Sequence, residues 1–91
     1  MTPSPADRYA EFLARRGQRF TEQGAKVVDA AFAVTGPFAV EDLVASLRGT
    51  VGRAVVYRTL SKLTQAELIR PVQFNGRSVF VAAVSSEEGD D

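Results

Sequence analysis

The 91-residue chain contains no cysteine and no histidine. No disulfide can staple it, and thiol chemistry is closed to it. Zinc sites of the usual Cys/His kind are excluded, and the commonest general base of enzymes is missing. The carboxylates that remain do not cluster in a pattern suited to a metal. There is no phosphate-cradling glycine loop ahead of a Lys-Ser/Thr pair, and no serine in a nucleophile elbow. These absences lead us to expect a protein that is not an enzyme and carries no cofactor or metal. No apolar run approaches the length that spans a bilayer. The opening Met1-Thr2-Pro3-Ser4-Pro5 has neither the basic nor the apolar segment of a secretory signal. A cytoplasmic location without a membrane partner is therefore expected.

What is present is an ordinary globular composition, 45% hydrophobic and 24% charged. A chain of this length makes one domain with a modest core. Its formal net charge of zero hides an asymmetry. All 11 Lys and Arg residues lie within positions 1–84, whereas Glu87, Glu88, Asp90 and Asp91 crowd the last few positions. The body is mildly basic. Residues 85–91 read as an acidic disordered tail, so the domain is expected to comprise residues 1–84.

Along the chain, Ser4-Pro5-Ala6-Asp7 is a helix start, and the Tyr9, Phe12, Leu13 stripe marks its apolar face. Gly17, after Arg15-Arg16, ends this helix of about residues 5–16. Thr21 is expected to cap a second helix that buries Val27, Val28, Ala31 and Phe32, with Gly24 mildly unfavourable in its first turn and Gly36-Pro37 stopping it. Phe38-Ala39-Val40 reads as a short strand or an extended lead-in. A third helix of about residues 40–48 follows, with Leu43, Val44 and Leu47 inward and Ala39 a poor cap. Thr50-Val51-Gly52 makes a short turn. A fourth helix runs over residues 53–65. Beyond it the periodicity changes. Residues 69–74 and 77–82 read as strands joined by Asn75-Gly76, the strongest short hairpin signal. Pro71 argues for an edge strand or for pairing that begins after it. Four helices and a terminal hairpin, with the third and fourth helices joined by a tight turn, predict a mostly helical α+β winged helix-turn-helix.

The fourth helix carries the functional signal. Val56, Leu60 and Leu63 share its apolar face. Arg53, Tyr57, Arg58, Ser61 and Lys62 fall on the other side, with no acid on the helix. Such a face suits phosphates and base edges, which makes double-stranded DNA the expected partner.

These residues resemble a known family. Arg16-Gly17-Gln18-Arg19-Phe20-Thr21 resembles the R-G-x-R-x-T stretch before the second helix of the ferric uptake regulator family. Val40-Glu41-Asp42-Leu43 resembles its A-E-D-L helix start, and Val56-Tyr57-Arg58-Thr59-Leu60 its T-V-Y-R-T-L recognition helix. Asn75-Gly76-Arg77-Ser78-Val79-Phe80 is similar to its wing. Four motifs in order, from about Phe12 to Val81, cover nearly the whole folded region. The resemblance implies that Tyr57 and Arg58 contact bases in the major groove and that Arg19 enters an adjacent A·T-rich minor groove. Both roles suit the chemistry, since an arginine fork matches guanine acceptors and a narrow groove attracts a cation.

The departures are specific. Val55 stands where the family has threonine, and Gly24 where it has arginine. Residues 83–91 take the place of the family's His-rich segment ahead of its dimerisation and metal-binding domain. A metal-independent regulator is therefore expected, either a dimer by another route, a partner of another protein, or a DNA-binding fragment of a longer ancestor. Arg53 and Lys62 are phosphate contacts or solvated surface. Arg77 on the wing either reaches a phosphate or guards the strand edge against aggregation. Arg15 and Arg16 serve the helix end, and Glu41-Asp42 is the acidic start of the third helix. The alternative function is a winged-helix protein-interaction module that does not bind DNA.

Overall fold

In the computed structural model, which describes residues 3–83, the first helix begins at a reciprocal cap. Ser4 Oγ accepts from the Asp7 N–H at 3.1 Å, and Asp7 Oδ2 accepts from the Ser4 N–H at 3.3 Å. Helix α1 (Pro5–Arg15) ends as expected at Gly17. The Gln18 N–H returns to the Leu13 carbonyl at 2.9 Å, a closure that needs a left-handed residue, and Gly17 supplies it at φ +68°. The acidic segment 85–91 lies outside the described residues.

Helix α2 (Glu22–Ala33) is capped by Thr21, whose Oγ1 accepts from the Gly24 N–H at 3.0 Å. Gly24 is buried. A Cβ there would meet Thr21 Oγ1 at 3.2 Å and the Phe20 ring at 3.9 Å. The weak helix former is thus explained by close packing at the helix start.

Helix α3 (Val40–Ser46) is two residues shorter than the spacing predicts. The chain tightens at Leu47, whose carbonyl accepts from both the Thr50 and Val51 N–H groups at 2.9 Å. Ala39 gives no side-chain cap. Asp42 Oδ2 instead accepts from the Ala39 N–H at 3.0 Å. Helix α4 (Arg53–Gln65) matches the expected span.

Strands β1 (Ile69–Phe74) and β2 (Arg77–Ala82) pair antiparallel, from Ile69 opposite Ala82 to Phe74 opposite Arg77. Asn75 (φ +53°) and Gly76 (φ +76°) both occupy the left-handed region, which a two-residue turn of matching twist requires. Phe38 forms a single bridge to Phe80 on the far edge of β2. The Phe80 N–H donates to the Phe38 carbonyl at 2.7 Å, and its carbonyl accepts from the Phe38 N–H at 3.0 Å. Both polar groups of Phe80 therefore point away from Pro71, its partner across the hairpin. The missing N–H of Pro71 costs the ladder nothing, and pairing begins before the proline rather than after it.

The helices enclose one core. Val27, Val56 and Leu63 are fully buried, with Val28, Leu43, Leu60 and Ile69 nearly so. Helix α4 contributes its Val56, Leu60, Leu63 face and also Thr59. The buried Tyr9 ring packs edge-on against Phe20 at 5.3 Å. The architecture is a mostly helical winged helix-turn-helix of four helices and a two-stranded wing. No helix among the described residues is long and apolar enough to cross a membrane.

Candidate nucleic-acid interface

With Val56, Thr59, Leu60 and Leu63 buried, the geometry of a helix turns the opposite side of α4, including Arg53, Tyr57, Arg58 and Ser61, outward. Successive residues turn by about 100°, so Tyr57 and Arg58 diverge although they are neighbours in sequence. The exposed face is flanked by two grooves, and each of these residues lines a different one.

The first groove, of about 200 Å³, runs between α4 and the start of α2. Arg58 and Lys62 line it from α4 and Arg19 from the segment before α2. Thr21, Gln23 and Gly24 form its other wall. The sequence separates Arg19 from Arg58 by almost 40 positions, and the fold brings them to one depression. Among the described residues, none of these three cations forms a salt bridge. Both departures from the family pattern face this groove too. Val55, where that pattern has threonine, is half-buried in its lining, and Gly24 belongs to the opposite wall.

The second groove, of about 340 Å³, lies between α4 and the wing. Tyr57 and Ser61 line it from α4, Val40 from α3, and Ser78 and Phe80 from β2. Tyr57 is 45% exposed, which separates it from a packing tyrosine such as Tyr9, at 3%.

Arg53 faces neither groove. Its Nη1 donates to Glu41 Oε2 at 2.7 Å, and the Tyr57 hydroxyl donates to the same oxygen at 2.8 Å. Glu41 belongs to the first turn of α3, and its sequence role as a helix-start acid is filled by Asp42, which closes the backbone. The hydrogen bond from Tyr57 first, and that from Arg53 second, hold the Glu41 carboxyl below its ordinary pKa. The partners lie 12 and 16 positions apart. No spacing rule within one helix connects them, because the crossing of α3 and α4 makes the contact.

The remaining expected contacts are spread out. Ser61 is exposed near the middle of the outward face. Arg77 is exposed at the start of β2 and lines neither groove. Arg15 pairs with Glu11 at 3.4 Å. Arg16 donates to Gln65 at 3.0 Å and sits 4.4 Å over the Phe12 ring, so it ties α1 to the end of α4. Among the described residues, no group of three or more Asp or Glu side chains is placed to hold a metal.

The sequence matches no protein-family model and no curated protein. Among solved structures, the chain is similar to a zinc-bound manganese uptake regulator, with a TM-score of 0.69 and 24% sequence identity over 86% of its length. It spans 62% of the length of that structure's chain. The likeness shows a shared fold.

Proposed function

We propose that this winged helix binds double-stranded DNA as a transcriptional regulator, with α4 in the major groove and the wing against the flanking backbone. One observation carries the proposal. Arg19, Arg58 and Lys62, none of them salt-bridged among the described residues, converge on a single groove beside the outward face of α4. Cations that have no internal partner and share one concave surface are suited to phosphate oxygens. Arg58, exposed on α4 itself, is the one of the three assigned to a base edge. Arg53 and Arg77 extend the basic surface on either side, and Ser61 and Tyr57 supply the neutral contacts between. The solved regulator of the same fold and the four family-like motifs support this function, and no step of it calls on a metal.

The test compares duplex binding by single alanine variants. Arg19→Ala, Arg58→Ala and Lys62→Ala should each weaken binding several-fold or more at low salt. Lys26→Ala, which removes an exposed cation of α2 outside the groove, should change it little. Equal effects at all four positions would show only non-specific attraction to net positive charge.

A protein-interaction module is the second function to weigh, because Phe74 is 54% exposed at the wing tip and the groove beside the wing is largely apolar. A module of that kind would bind no duplex even at low salt.

A further inference from the structure

We infer that Glu41 is a specificity-determining residue of the DNA interface, selecting a base that presents an exocyclic amino group beneath Tyr57. The inference rests on the DNA-binding function proposed above. It deepens that proposal by assigning base preference to a residue outside the recognition helix.

The chemistry follows from counting protons. A tyrosine hydroxyl has one proton, and here it is given to Glu41 Oε2 at 2.8 Å. Only acceptor lone pairs remain on the Tyr57 oxygen. Glu41 Oε2 takes a second bond from Arg53 at 2.7 Å, while Oε1 accepts no hydrogen bond among the described residues. The unit therefore offers acceptors where a neutral tyrosine alone would offer a donor as well. It is exposed rather than packed away, with the Glu41 and Arg53 side chains both 58% accessible. Its Tyr57 lines the groove between α4 and the wing together with Ser61 and Val40, the residue before Glu41.

In the major groove, cytosine presents its N4 amino group and adenine its N6 amino group as donors, whereas guanine O6 and thymine O4 are acceptors. A paired carboxylate and tyrosine oxygen attract the first two and repel the second two. Arg53 has a separate part. Its charge offsets that of Glu41, so a carboxylate can stand on a DNA-facing surface, and its remaining N–H groups are left to reach a phosphate. Glu41 is thus both a positioning residue for the Tyr57 ring and a direct contact for an amino group.

The experiment selects duplexes from a randomised pool with the wild-type chain and with Glu41→Gln, then titrates the selected duplex with every base in turn replaced. The wild type should prefer cytosine or adenine over guanine and thymine at one position, by roughly five- to tenfold. Glu41→Gln keeps the shape but offers a donor and an acceptor. It should lose that preference at that position alone and bind unselected duplex more tightly. Tyr57→Phe, which removes the shared proton and leaves the Glu41–Arg53 pair, should alter the profile at the same position. A Glu41→Gln profile identical to wild type would overturn the inference. So would a preference flattened equally at every position, since that would mark Glu41 as bulk charge only. If the wild type selects nothing and binds no duplex at low salt, DNA binding itself fails and the inference falls with it. If the wild type binds and only the Glu41 effect is missing, DNA binding stands without it.

Discussion

Arg58 and Tyr57, neighbours in sequence, line different grooves beside α4. Arg58 opens toward Arg19 and Lys62, while Tyr57 turns to the wing and to Glu41. Replacing Arg58 by alanine should therefore reduce discrimination between selected and random duplex, by about 1–3 kcal/mol for one bidentate contact to a base. Replacing Lys62 should weaken both duplexes alike. Competition binding with the two duplexes separates these outcomes. At Glu41 the structure predicts a titration. Its folded pKa is lowered by hydrogen bonds to the charged form, so the contact is complete above the ordinary carboxylate pKa and is lost as pH falls through the lowered value. Following the Glu41 carboxyl by NMR should show a midpoint below that of a free glutamate, and Tyr57→Phe should move it back up because it removes the largest cause. An unchanged midpoint in Tyr57→Phe would mean that the hydrogen bond does not persist in solution. Glu41 was also the residue least legible in the sequence. Its neighbours Val40, Asp42 and Leu43 mark a helix start, and nothing in their spacing shows that the acid reaches over to the next helix.

Helix ends explain much of what the elements do. Helix α4 closes like α1, with the Leu68 N–H returning to the Leu63 carbonyl at 3.0 Å. The left-handed position in that closure is held by Glu67 at φ +64°, where α1 uses Gly17. A side chain there costs backbone energy that glycine avoids, partly offset by the greater freedom glycine has when unfolded. Glu67→Gly should accordingly stabilise the fold by about 0.5–1 kcal/mol, read from urea unfolding. A loss of stability would indicate that the Glu67 side chain makes up for its strained backbone. At this scale the sequence was informative. Apolar periodicity placed α4 over its full span, and Asn75-Gly76 placed the hairpin to the residue, because each is a local signal read locally. Helix α3 ended early because Leu47 gathers two backbone donors into a turn, which depends on how the chain leaves the helix rather than on its apolar spacing. The Phe38 bridge beside β2 was hidden for a related reason, since one pair of hydrogen bonds to a distant strand leaves no repeating pattern.

For the whole molecule, folding converts a weak charge asymmetry into a shaped one. Arg19, Arg58 and Lys62 meet at one groove, while Arg53 is paired with Glu41, Arg15 with Glu11, and Arg16 is engaged by Gln65. The fold is that of a solved uptake regulator whose chain is longer than this one. A single module gripping a few phosphates binds weakly at physiological salt, so pairing with a second copy or another protein would be needed for tight occupancy of a site. The number of phosphates held is open to direct measurement. Duplex affinity for the wild-type chain, followed as salt is raised, should fall with a log–log slope of roughly −3 to −5, corresponding to Arg19, Arg58 and Lys62 with up to two flanking arginines. Replacing the three groove cations together should make the slope shallower by roughly 3, leaving only what the flanking arginines hold. A wild-type chain that binds no duplex at low salt, or whose slope is unchanged by the triple substitution, would contradict the assignment of this groove to DNA.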